Sequence, residues 1–195
     1  MANIIDSYSE SNYNSTADFS LYNGSFGWRG QSFTGNGSTL GKVTLYARKL
    51  GTPTGSVSVQ IFAHSGTYGT SSIPTGSALA TSDSFDPTTL SSSYALTDIT
   101  FSGGNQITLT NGTHYVFVAT GTTSDGSNNM QIGGDNTSPT AAGNESTSSD
   151  GTTFTASSSV DLCFYVYDNA VVLLPHAQFN NSGLRPHQFS PGLAR

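Results

Sequence analysis

Two stretches of the chain alternate apolar and polar residues with a period of two. In "KVTLYARKL", Val43, Leu45 and Ala47 fall on one side and Thr44, Tyr46 and Arg48 on the other. In "SVSVQIFAH", Val57, Val59 and Ile61 oppose Ser56, Ser58 and Gln60. This is the pattern of antiparallel strands with one buried and one wet face, and the "GTPTG" between them reads as a turn. Further strands are expected at "GQSFTG", "ALATSD", "YALTDITFS", "NQITLT", "NMQIG", around "TTFTA" and at "VDLCFYVYD". The run "ITLTNGTHYVFVAT" predicts a hairpin. Asn111-Gly112 between two β-rich segments suits a type I′ turn, in which both central residues adopt φ > 0. "FDPTTLSSS" reads as a turn or a single helical turn. Eight or nine short strands and no helix result. Strands with one polar face need a second sheet over the other face. The expected fold class is therefore all-β: a two-sheet antiparallel β-sandwich of jelly-roll type with extended N- and C-terminal arms.

The expected domain organisation is an N-terminal arm over 1–29 with one short strand, a sandwich over 30–169 and an extended C-terminal arm over 170–195. Composition agrees with a β-rich body. Only 9% of the residues are charged, against about 25% in an average globular protein. The 22 Gly supply turns, and residues that favour long helices are scarce. The net charge of −6 argues against binding nucleic acid through its backbone. That charge is unevenly placed: the twelve acidic residues end at Asp168, and Arg185 and Arg195 lie beyond it. The body is thus −8, from four cations against twelve acids, and the segment after it is +2. Cys163 is the single cysteine, which rules out an intrachain disulfide and reads as a small core residue. "MANIIDSYSE" has neither a basic start nor an apolar stretch, so no secretion signal is expected, and "AVVLL" is too short to cross a membrane.

Gln31 and Phe33, then Gly51, Pro53 and Gly55, then Pro74, Gly76, Leu79 and Ala80, then Leu109, Gly112 and Tyr115 form an ordered series. The series resembles a jelly-roll module found in bacterial surface proteins, some called choice-of-anchor domains, and in structural proteins of tailed phages. The likeness covers about residues 30–168 and speaks for fold more than for function. A surface-anchored member is expected to carry a secretion signal and an anchoring tail. Neither is seen here, so the resemblance implies a virion protein made in the host cytoplasm.

Catalytic chemistry finds little support. His64, His114, His176 and His187 show no paired metal-ligand spacing, no G-x-S-x-G elbow is present, and the acids are scattered. No catalytic residue, cofactor or metal is assigned. "DGSNN" at 125–129 places oxygen ligands at alternate positions but lacks the later Gly and Glu of a calcium loop, so it reads as a polar turn. Trp28, Tyr46 and Tyr68 are candidates for stacking on a glycan, the alternative reading for a tail, fibre or adhesion module.

The C-terminal segment gives the leading expectation. Phe179, Leu184, Phe189 and Leu193 are isolated apolar anchors, and Pro175, Pro186 and Pro191 prevent a helix. Arg185 and Arg195 add cations. Such a segment gains little by folding on itself and gains by lying along another subunit. The expected function is a phage capsid decoration or cement protein that binds neighbouring subunits through its arms. Expected partners are the major capsid protein or a neighbouring copy, in a homo-oligomer such as a trimer, with neither nucleic acid nor membrane as a partner.

Overall fold

The computed structural model describes residues 2–24, 26–121 and 125–169. Thirteen strands follow in chain order: β1 (Ile4–Tyr8), β2 (Asp18–Leu21), β3 (Trp28–Thr34), β4 (Leu40–Leu50), β5 (Val57–Ser65), β6 (Ile73–Thr81), β7 (Ala95–Thr100), β8 (His114–Gly121), β9 (Asn129–Asp135), β10 (Glu145–Ser148), β11 (Thr155–Ser157), β12 (Asp161–Leu162) and β13 (Phe164–Asp168). The helical content of the described residues is three 3-10 turns, one of them at Pro87–Thr89 within the expected turn. All strand pairs are antiparallel. One sheet has six strands in the order β11-β10-β3-β8-β5-β6. The other has seven, built on β1-β13-β4-β9-β12, with β2 on β9 and β7 on β4. The two pack as a β-sandwich.

The alternating stretches fold as their pattern requires. Val43, Leu45 and Ala47 of β4 and Val57, Val59 and Ile61 of β5 are buried, and they meet Phe33, Phe117, Phe164, Met130 and Ile132 in one core between the sheets. Phe117 and Phe164 cross the gap edge to face, 5.2 Å between centroids. Cys163 is fully buried, and burial pushes its thiol up to about 12.

Two expectations are corrected. The segment 1–29 is woven into the sandwich: β1 pairs with β13, β2 with β9, and β3 already begins at Trp28. These strands are only five and four residues long, and their partners lie more than a hundred residues away. Local periodicity therefore carries little trace of them. The Asn111-Gly112 hairpin is absent as well. Gly112 has φ +73° while no non-glycine among the described residues has positive φ, and Thr113 N donates to Thr110 O at 3.1 Å, which is a type II arrangement. The runs on either side then separate. Thr108 bridges Thr39 at the entry to β4, whereas His114 opens β8 opposite Thr34 of β3. The turn links two sheets, so the twist that favours type I′ within one hairpin does not apply.

Candidate functional site

Among the described residues, the first and last strands, β1 and β13, meet at one corner. Asp168 N donates to Asn3 O at 2.9 Å, and Asn3 returns two bonds to the Asp168 carboxylate, from its N at 2.6 Å and its Nδ2 at 2.8 Å. Asn169 N donates to Thr39 O at 2.8 Å, and its side chain donates to Gln106 Oε1 at 2.9 Å. Gly41 lets this corner close, since a Cβ there would sit 2.5 Å from Asp168 O. Phe179, Leu184, Arg185, Phe189, Leu193 and Arg195 lie outside the described residues. Three of the four cations of the sandwich are in ion pairs: Arg29–Glu145 at 3.0 Å, Lys42–Asp98 at 2.6 Å and Arg48–Asp18 at 2.8 Å. The sandwich thus keeps a surplus of carboxylates, opposite in sign to the net charge of residues 170–195.

The three aromatic candidates stand in three separate places. Tyr46 lies on the outer face of the seven-stranded sheet, stacked on Tyr94 at 5.0 Å and edge-on to Tyr13 at 5.4 Å. Tyr13 and Tyr94 donate to one Asp18 oxygen at 2.6 and 2.8 Å, and Arg48 binds the other. Burial and the Asp18 bond push the Tyr13 hydroxyl up to about 12, so it stays protonated. The three rings pack on one another, and the Arg48 guanidinium lies 4.8 Å over the Tyr94 ring.

Tyr68 lies at the other candidate position, in the loop between β5 and β6. It stacks on His114 at 3.7 Å, and Thr34 Oγ1 donates to its hydroxyl at 3.1 Å. His64 meets both rings edge-on, and Thr34 N donates to Asp6 Oδ2 at 2.7 Å. Burial lowers His64 and raises Asp6. The group links β1, β3, β5 and β8 through side chains at their ends.

Trp28 lies on the outer face of the six-stranded sheet under the turn between β10 and β11. A Cβ on Gly151 would come 2.7 Å from the indole, so only glycine lets this turn lie on the ring. The exposed remainder faces a recess of about 200 Å³ lined by Asn23, Ser56, Ser58, Thr120 and Gly121.

On the same face, β6 departs from β5. Ile61 pairs with Ala80 and Ala63 with Thr75, so Gly76–Leu79 stand opposite Phe62 alone. Gly76 has φ +74°, and Leu79, a member of the "P-x-G-x-x-L-A" series, is 47% exposed. A groove of about 330 Å³ opens between Phe62, Pro74, Thr75 and Gly76 on one side and Gly151, Thr152 and Phe154 on the other. Sequence reasoning missed this groove because it follows from a mismatch in strand register.

"DGSNN" folds as a turn in which Asp125 Oδ1 accepts from Ser127 N at 2.7 Å and Asn128 N at 2.9 Å. Among the described residues, no three His, Cys, Asp or Glu side chains gather as metal ligands. The chain matches no family model, no curated protein sequence and no solved structure.

Proposed function

We propose that the chain is a virion structural protein, a capsid decoration protein of a tailed phage, whose sandwich is displayed and whose segment 170–195 attaches it to neighbouring subunits. The carrying observation is the corner at Asn169, where β13 is paired on both sides up to Asp168 and Asn169 N is held by Thr39 O. What remains is 26 residues with spaced apolar side chains, three prolines and a charge opposite to that of the sandwich. An arm of that composition gains buried area only on another surface, and occupying several neighbours stabilises a shell by mass action. The reading places the protein in the virion as a closed homo-oligomer, such as a trimer, against the major capsid protein or its own copies. It assigns the chain no catalytic step.

The test is truncation after Asn169. The shortened chain is expected to keep its far-UV spectrum and a melting midpoint within about 3 °C of the full chain. Its incorporation into particles is expected to be lost. Normal incorporation of the folded, truncated chain would sink the attachment reading. The recess beside Trp28 favours one second reading, glycan binding by an indole among amide and hydroxyl groups. In that case a glycan array gives a signal that Trp28→Ala removes.

A further inference from the structure

The outer face of the six-stranded sheet has an apolar floor that the fold covers only in part. Val116 and Val118 alternate with the core residues Tyr115, Phe117 and Ala119, so they face away from the other sheet, and both are fully buried. Phe62, opposite Val116 in the ladder, is half-buried and lines the groove left by the departure of β6. Beyond the Gly151 turn lies a second recess of about 410 Å³ lined by Thr147, Ser148, Ser149, Asp150, Thr153 and Thr155. Backbone N–H groups of Thr153 and Thr152 donate to Asp150 Oδ1 and hold its carboxyl far below the usual range. One turn therefore separates an aromatic-floored groove from a carboxylate that remains ionised.

The matching ligand is an extended segment with an aromatic ring and a cation a few residues apart. Arg185 and Phe189 in "RPHQF" provide both, and Pro186 keeps the stretch from becoming helical. Charge favours the match, since the sandwich is −8 and the segment beyond it +2. Reach allows it, because 26 extended residues span roughly 85 Å. We propose that the groove receives Arg185–Phe189 of a second copy of this chain, with the Phe189 ring over Phe62 and the Arg185 guanidinium at Asp150. This rests on the attachment reading: an arm laid on its own body would not join subunits.

The intact chain tests it through sedimentation over a range of concentrations. Phe189→Ala is expected to weaken self-association about tenfold or more. Thr152→Trp, which fills the groove from an exposed position, is expected to do the same, and the double variant should be no weaker than either single one. Asp150→Asn keeps the turn's acceptor and is expected to reduce the salt dependence of association. Association untouched by Thr152→Trp, or a wild-type chain that stays monomeric, overturns the groove assignment. The attachment reading survives that result provided truncation after Asn169 still abolishes incorporation. If the truncated chain incorporates normally, attachment itself fails and the docked arm fails with it.

Discussion

Gln31 has no exposed surface, and both ends of its amide are used. Its Nε2 donates to Asp161 Oδ1 at 2.9 Å, and its Oε1 accepts from Leu162 N at 2.9 Å. The Gln of the "Q-x-F" opening is thus a polar tie between β3 and β12, one from each sheet, while Phe33 fills the core beside it. Burial pushes the Asp161 carboxyl up to about 6, with Asp135 across the ladder adding to the rise. A carboxyl raised on folding binds its proton more tightly in the native state. Its contribution is complete below about pH 4 and is lost as pH rises through about 6, worth up to about 3 kcal/mol. Asp161→Asn is expected to remove that component, seen as a smaller difference in denaturation midpoint between pH 4.5 and pH 7. At the same scale, three Asn-Gly pairs differ in their exposure to deamidation, in which the glycine nitrogen attacks the Asn side chain and expels ammonia. Gly37 N is bound to Leu109 O at 2.7 Å and Gly112 N to Gly35 O at 2.8 Å, whereas Gly24 N makes no bond among the described residues. Peptide mapping after incubation at pH 8 is expected to find aspartate and isoaspartate first at Asn23.

The last strand shows what periodicity could and could not reveal about the elements. "VDLCFYVYD" reads as a single strand, and its inward Leu162, Phe164 and Val166 are buried as that reading requires. It is nevertheless broken at Cys163: β12 lies on β9, and β13 lies on β4. Cys163 N donates to Gly133 O and Cys163 O accepts from Tyr46 N, so three strands meet at that residue. Gly134 makes the approach possible, since a Cβ there would sit 2.4 Å from Asp161 O and 2.7 Å from the Phe19 ring. Gly134→Ala is expected to cost about 2–4 kcal/mol by chemical denaturation, because a backbone atom must move to admit the methyl group. The strong alternation in β4 and β5 was legible because each strand has one wet face. β1, β2 and β10 were not legible, since each is only four or five residues long and pairs with a strand more than a hundred residues away.

Across the whole molecule, the sandwich class followed from many short half-buried strands, and the core filled as expected. The candidate sites were less legible. Trp28, Tyr46 and Tyr68 are similar as letters, but the fold sends them to a recess, a tyrosine cluster and a loop clasp. The groove over Phe62 depends on four residues standing opposite one, which no single-strand pattern records. Charge segregation was plain in the sequence and leads to a prediction at this scale. If residues 170–195 attach the chain to particles as proposed, that binding is expected to weaken as salt rises from about 0.05 to 0.5 M, since exposed charges are screened over that range. Binding curves that are flat with salt would leave apolar contact as the whole of the attachment.

The corner at Asn169 also has a mechanical meaning. β13 ends at Asp168, one residue before Asn169, and is hydrogen-bonded to β1 on one side and β4 on the other. Tension applied at Asn169 along that strand loads both ladders lengthwise, so their bonds resist together instead of opening one after another from an end. If residues 170–195 tether the chain as proposed, the load falls on the direction in which these two ladders are strongest.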